Sequence, residues 1–318
     1  MAKILLSGGL GFIGSTIVRK LENTEHKTVI IDNQSDYDGA IDQVELQTLI
    51  EKRVDSFQYP HTVYDNNIVD TLSMNTIFAK EKPDVVVHLA AFPRLRVVKR
   101  NPQLGCDVIL KGLINLLEAS VKHGVKRFVF ISSSMVYGDW EYECNPENAV
   151  TNPVEPYGIM KLCAEKLVEN YQRLYDLEYS IVRPSAVYGP YDIVDRVLSK
   201  FVSLAKQNKP MFIKGEGLAL DFTHVDDVAN GIILCATEEK AKNEIFNITR
   251  GIARTLEDAS NLIIKHTGSN SSITVKQRDK LYGVRGTLDI TKAKELLGYN
   301  PTIDLEQGLE TYIRSWIH

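Results

Sequence analysis

The chain has little that would place it in a membrane, in a disulfide-stapled secreted framework or on nucleic acid. No apolar run in its 318 residues approaches the roughly 20 residues of a bilayer span. The opening Met1-Ala2-Lys3-Ile4-Leu5-Leu6-Ser7 lacks the layout of a signal peptide. Only four cysteines occur, Cys106, Cys144, Cys163 and Cys235, without paired spacing. They read as reduced thiols, which predicts a cytoplasmic protein. Seven histidines form no ligand cluster, so no metal is expected. The net charge of −4 gives no electrostatic case for nucleic acid or an anionic membrane surface. Internal repeats and low-complexity segments are absent.

What is present is an ordinary globular composition, 44% apolar and 25% charged, enough for one large or two modest domains. Residues 3–7 read as a short apolar strand, 15–23 as a helix and 27–32 as a second strand ending on Asp32. Between the first strand and the helix lies Gly8-Gly9-Leu10-Gly11-Phe12-Ile13-Gly14. Gly8 permits a tight turn, Gly11 lets a pyrophosphate approach the backbone, and Gly14 lets helix pack on strand. The free amides of the helix start, with Phe12 and Ile13 among them, suit phosphates. The spacing is G-x-x-G-x-x-G rather than G-x-G-x-x-G, and a glycine pattern alone is weak. Here it stands between strand and helix, and the strand that follows stops on Asp32, where a carboxylate can take the adenosine ribose hydroxyls. Asn33 follows it. That carboxylate would repel the 2′-phosphate of NADP, and 32–38 hold no Arg or Lys, so NAD is the expected cofactor.

Segment 36–53 is polar with some helical character and reads as a variable surface excursion. Residues 64–68 suggest a third strand whose end, Asn67 and Ile68, touches the adenine. A helix over 69–81 and an apolar strand over 84–88 lead to Leu89-Ala90-Ala91, small residues suited to a close ligand. A long helix is predicted over 102–123, with Ile109, Leu113, Leu116, Leu117 and Ser120 on one side, and a strand over 127–132 delivers Ser133. Repeated βα units imply an α/β fold with a doubly wound parallel sheet, whose ligands gather at the C-terminal strand ends. Gly8, Asp32, Leu89 and Ser133 all fall at such ends.

The apolar pattern Met160, Cys163, Ala164, Leu167, Tyr171, Leu174 makes 157–175 a helix, with Tyr157 and Lys161 side by side on one face. A phenol has a pKa near ~10; a neighbouring ammonium favours the phenolate and brings it toward proton transfer, and the Ser133 hydroxyl can share the same substrate oxygen. Such a pair is common on helices and gains meaning only beside the glycine turn. After a strand at 180–183, Pro184 joins the cofactor set, and the prolines and glycines of 184–190 mark passage to a smaller substrate-covering lobe. The expected division is a dinucleotide domain over 1–183, to which 218–240 returns, and a lobe over 184–318 with a helix at 291–297. His224 reads as structural.

At these residues the chain resembles the extended short-chain dehydrogenase/reductase family, specifically its NAD-dependent sugar-nucleotide epimerase/dehydratase branch. The motifs occur in order at 8–14, 88–91, 132–138, 156–161, 183–190 and 221–228, so the resemblance runs from Lys3 to about Pro301. It implies a Rossmann fold with a C-terminal substrate lobe and a nucleotide-sugar substrate. It also implies that Tyr157 as phenolate takes the proton of a sugar C4 hydroxyl while NAD takes the C4 hydride. Ser133 hydrogen-bonds that oxygen, and Lys161 binds the nicotinamide ribose. In an epimerase the 4-keto sugar turns over and takes the hydride back on its other face.

Dehydratases of the branch carry Asp-Glu directly after the catalytic Ser or Thr, and 3,5-epimerising relatives keep a cysteine there. Ser134 and Met135 stand in those places, so the chemistry is expected to stop at C4. Other departures are Ala186 where Asn is usual, Leu220 where Arg is usual, and Ile109 where a cofactor-contacting Asn is usual. Arg196 and Arg278 are the candidates to hold the diphosphate instead, the alternative being two solvated surface arginines; Ser134 joins the substrate set. In the family, helices like 102–123 and 157–175 form a homodimer interface, though their stripes suit the monomer core equally. The rivals to a 4-epimerase are a net C4 dehydrogenase or ketoreductase and a non-catalytic dinucleotide-binding regulator.

Overall fold

Seven parallel strands form the central sheet of the computed structural model, which describes residues 1–36, 39–92, 95–193, 195–277 and 284–316. The first half of the chain alternates strand and helix: β1 (Lys3–Ser7), α1 (Phe12–Leu21), β2 (Lys27–Ile31), α2 (Gln43–Asp55), β3 (Thr62–Tyr64), α3 (Thr71–Glu81), β4 (Val85–His88), α4 (Leu95–Arg100), α5 (Pro102–Cys106), α6 (Gly112–Lys122), β5 (Arg127–Ile131), β6 (Cys144–Asn145), α7 (Pro156–Tyr175) and β7 (Glu178–Arg183). Successive side chains of a strand point to opposite faces. Ile4 and Leu6 therefore enter one core, with Ile17, Val18, Val129 and Val182. Leu5 enters the other, with Phe78, Leu113, Phe128 and Ile181. Strands buried on both faces carry continuous apolar runs, which is why β1, β4 and β5 are the most legible elements.

The second half continues with β8 (Val187–Tyr188), α8 (Val197–Lys206), β9 (Met211–Lys214), β10 (Ala219–Leu220), β11 (Thr223–His224), α9 (Val225–Thr237), β12 (Glu244–Asn247), β13 (Arg254–Thr255), α10 (Leu256–Thr267), β14 (Ile273–Lys276), β15 (Thr287–Leu288), α11 (Thr291–Leu297) and α12 (Leu305–Arg314). The sheet order is β12-β7-β5-β4-β1-β2-β3. β12 has no distinct sequence signal, yet it pairs with β7 as the seventh strand. α9 packs on α1, and α11 packs on α9 and β12. A separate apolar cluster joins Leu198 and Phe201 of α8, Ile263 of α10 and Leu309 and Tyr312 of α12.

Several sequence expectations need correction. Segment 36–53 is no surface excursion, because it contains most of α2, whose Leu46, Leu49, Ile50 and Arg53 are buried. These four residues sit at helical spacing among polar neighbours that mask them. The third strand lies at Thr62–Tyr64 rather than 64–68, since its pairing with β2 stops at Ile31↔Tyr64. The helix over 102–123 runs without interruption to Lys122, but it widens midway: α5 and α6 flank a π-helical turn, Asp107–Lys111. At its end, a Cβ on Gly112 would lie 2.5 Å from Cδ1 of Ile68. Its stripe Ile109, Leu113, Leu116, Leu117 and Ser120 faces the core, with at most 1% exposure. In α7 the helix is as expected but the buried face is different. Lys161, Ala164, Glu165 and Val168 point inward, while Cys163 and Leu174 are exposed. A hydropathy stripe cannot find a face that carries two charged side chains.

Candidate active site

A cavity of about 580 Å³ runs along the carboxyl ends of β1, β2, β4, β5 and β7. At one end the wall is the turn after β1. Gly8 has φ +76°, and a Cβ there would lie 2.8 Å from the Ala90 amide nitrogen. The Leu89 and Ala90 amides in turn donate to the Ser7 carbonyl, both at 3.0 Å. At Gly14 a Cβ would come within 2.3 Å of the Gly8 carbonyl oxygen. Only glycine lets α1 start this close to β1, and Gly8, Gly11 and Gly14 together form a backbone cradle along the cavity wall.

Asp32 stands just past β2. Its carboxylate accepts from the Leu10 amide at 2.9 Å and the Gln34 amide at 2.8 Å. Burial pushes its pKa up, and the two backbone bonds and the Arg53 guanidinium pull it back. Phe12, Ile13, Asn33, Asn67, Ile68 and Ala91 line the same end, as Gly11 does. The cradle, the helix-start amides and a ribose-facing acid fit a dinucleotide: 8–14 for the pyrophosphate, Asp32 for the adenosine ribose.

At the other end, Ser133 caps the short 3₁₀ turn Ser134–Tyr137 by accepting from the Met135 amide at 3.2 Å. The buried Glu155 carboxylate caps α7, accepting from the Tyr157 and Gly158 amides at 2.8 and 2.7 Å, with Pro156 at the first helical position. That cap fixes where Tyr157 emerges. Burial pushes the Tyr157 phenol up to about 12, the Arg196 guanidinium and a hydrogen bond with Ser133 pull it down, and Glu155 pushes it up. The sequence spacing predicts that Lys161 is the cation acting on the phenol. The Lys161 ammonium does lie over the Tyr157 ring, 5.9 Å from its centroid, while donating to the Ile131 carbonyl at 2.7 Å. Burial brings Lys161 down to about 7, opposed by Glu165.

Beneath this group lies a buried polar network. Glu165 accepts from the Ser132 hydroxyl at 2.5 Å and takes a two-pronged ion pair from Arg183, at 2.9 and 2.7 Å. Arg183 also donates to the Tyr137 hydroxyl at 2.9 Å, which donates to Asn247 at 2.8 Å. The network joins β5, α7, β7 and β12 below Ser133 and Lys161. His88, between Phe128 and Phe130, is held at about 3 by burial and by Lys161, so it is neutral. His224 is buried, with its Nδ1 accepting from the Asp226 amide at 3.2 Å to cap α9.

Ser134, Pro184, Leu89 and Arg196 also line the cavity, and Arg278 lies outside the described residues. Ile109 packs in the core instead. Three charged lining residues escape sequence reading: Arg53, Asp192 and Arg285. The Arg285 guanidinium lies against Met135 Sδ, and Arg196 pairs with Asp192 at 3.3 Å. Ala186, in place of the usual Asn, lines the cavity with φ +20°.

Among the described residues no group of His, Cys, Asp and Glu could hold a metal ion, and no helix is long and apolar enough to cross a membrane. The family model for the NAD dependent epimerase/dehydratase family matches residues 4–249. A UDP-glucuronate 4-epimerase of Thermodesulfobacterium geofontis is 32% identical, covering 98% of this chain and 94% of the relative. The UDP-glucose 4-epimerase of Thermotoga maritima, solved with UDP-glucose, superposes with a TM-score of 0.88 at 31% identity, covering 98% of both chains. The UDP-glucuronic acid 4-epimerase of Bacillus cereus, solved with UDP-glucuronic acid and NAD, gives a TM-score of 0.89 at 28% identity, again covering 98% of both chains. On its glycine turn, its doubly wound sheet and these likenesses, the chain belongs to the NAD-dependent epimerase/dehydratase family.

Proposed function

We propose that the chain is an NAD-dependent nucleotide-sugar 4-epimerase. The observation that carries this reading is the single cavity lined by the 8–14 turn, Asp32, Ser133, Tyr157 and Lys161. When bound there, NAD would supply the acceptor, and for the return the donor, of the C4 hydride. Tyr157, as the phenolate that the positive nicotinamide ring of bound NAD and Arg196 would favour, takes the proton of the C4 hydroxyl and gives it back to the 4-keto oxygen. Ser133 hydrogen-bonds that oxygen in both directions, and Lys161 holds the nicotinamide ribose. Ser134 and Met135 follow Ser133. Neither a serine hydroxyl nor a thioether readily removes a C5 proton, so the reaction stays at C4 and no water is eliminated.

Arg196 and Arg278 neutralise the substrate diphosphate in place of the arginine missing at Leu220. Arg278→Ala is then expected to raise the nucleotide-sugar KM about tenfold, the effect of losing one charged hydrogen bond; an unchanged KM removes Arg278 from the site. The protein works in a reducing compartment, the cytoplasm, as its exposed free thiols Cys106, Cys144 and Cys163 suggest. It works as a homodimer through the outward apolar side chains Ile114, Ile159, Leu174 and Tyr175 of α6 and α7. A monomeric mass by light scattering would sink the dimer.

The deciding experiment incubates the NAD-loaded protein with UDP-glucose, UDP-glucuronate and dTDP-glucose, and follows both NADH absorbance and C4 isomers. A mixture of isomers without net NADH is expected. Stable NADH with a released keto sugar would make the protein a net oxidoreductase instead.

A further inference from the structure

We infer that Arg53 is a positioning residue that ties the glycine turn to the loop carrying Asp192 and Arg196, so that filling the dinucleotide end of the cavity orders the substrate end. Arg53 comes from α2 and is 4% exposed. One arm of its fork, Nη1, donates to the Leu10 carbonyl at 3.2 Å, inside the glycine turn. The other arm, Nη2, donates to the Tyr191 carbonyl at 2.7 Å, across the cavity wall. The two carbonyls come from opposite halves of the chain, and among the described residues no strand pairing joins their segments.

Both ends of this strut lead to groups that matter. The Leu10 amide, on the same residue as the first carbonyl, donates to Asp32 at 2.9 Å. Tyr191 precedes Asp192, which is 1% exposed and pairs with Arg196 at 3.3 Å. Arg196 is the cation that draws the Tyr157 phenol down. A connected path thus runs from Asp32 through Leu10, Arg53, Tyr191 and Asp192 to Arg196.

The backbone of Tyr191 is a second, independent observation. Its φ is +65°, the left-handed region that a tyrosine rarely adopts. Such a conformation persists only where surroundings over-determine it. A buried guanidinium gripping the Tyr191 carbonyl is such a determinant. The planar fork of arginine is needed, since an ammonium has no pair of parallel donors to span two fixed carbonyls.

The inference concerns how the two ends communicate and does not depend on which sugar is turned over. It is tested by amide hydrogen exchange with ADP-ribose as probe, which fills the dinucleotide end but has no nicotinamide ring to touch the Pro184 side. In the native protein, saturating ADP-ribose should slow exchange at 11–15 and also at 189–193. The second effect should be roughly 2- to 10-fold, the size of one net hydrogen bond. In Arg53→Lys, which keeps the charge, slowing at 11–15 should persist at saturation while that at 189–193 disappears. Arg53→Met should do the same, and the lysine variant covers the case in which it fails to fold. If ADP-ribose leaves 189–193 unaffected in the native protein, or protects it equally in Arg53→Lys, the strut does not couple the two ends.

Discussion

At the dinucleotide end the cavity wall is made of backbone. Gly8 and Gly14 bring main chain to within a methyl's width of main chain, and Asp32 is held by two amides. At the substrate end the wall is made of side chains from distant segments: Tyr157 on α7, Arg196 at the head of α8, and Arg285 just before β15. A wall of backbone tolerates no added atom but leaves its side chains free to vary. A wall of side chains accepts substitutions and changes its chemistry with each. Three departures from the family pattern, Ala186, Leu220 and Met135, line the second end, whereas a fourth, Ile109, packs in the core.

The sharpest separation of the two ends should come from Tyr157→Phe. Removing one oxygen at the side-chain end is expected to cut turnover at least ~10²-fold while NAD affinity, measured by calorimetry, stays within a factor of about two. Undiminished turnover would reject the role given to Tyr157. Gly14→Ala is the opposite probe. The added methyl must move the Gly8 carbonyl, 2.3 Å away, and should weaken NAD binding roughly tenfold, about 1.4 kcal/mol. Retained affinity would mean that the backbone end is less rigid than its contacts imply.

Lys161→Met tests charge burial under the substrate end. Burial lowers the folded-state pKa of Lys161 from 10.5 to about 7, so the unfolded chain binds its proton more tightly. The penalty for folding around the ammonium is full below about pH 7 and fades as pH rises toward the unfolded value. The variant's gain in Tm over the native protein should therefore be largest near about pH 6 and shrink by about pH 10. A gain that grows with pH would mean that the lysine is not held as a disfavoured cation. The smallest effect is expected from Ala186→Asn. At φ +20° asparagine is better tolerated than alanine, so Tm should rise by about 1–2 °C. A fall would show that the family's asparagine no longer fits this cavity.

Much of the first end is legible in the sequence because its determinants are local. A strand, a glycine turn and an acid after the next strand follow one another without interruption from Lys3 to Asp32, and each acts through its own backbone. Ser133, Tyr157 and Lys161 are legible for a similar reason, since a strand end and an i,i+4 helix pair place them. The rest depends on neighbours far along the chain. Arg53 looks like a solvated helix residue until α2 docks and carries it under Leu10. Arg285 has no local pattern at all. Helical spacing sets Lys161 beside Tyr157, but the bond its amine makes to the Ile131 carbonyl at the end of β5 has no local signal. The π turn in the long helix likewise has no local signal, and Ile68, in the loop before α3, leaves room only for glycine at its end, Gly112.

The seventh strand has a bearing on how the chain reaches this state. β12 closes the sheet against β7, yet everything from β8 to α9 lies between Arg183 and Glu244. During synthesis the outer edge of β7 must therefore wait with its hydrogen-bonding groups open while the intervening segment is made, the condition in which strands pair with the wrong partner. The Ser180 hydroxyl, on that waiting strand, donates to the Cys235 and Ala241 carbonyls at 3.0 and 2.7 Å. One side chain of β7 thus ties down both the end of α9 and the turn just ahead of β12.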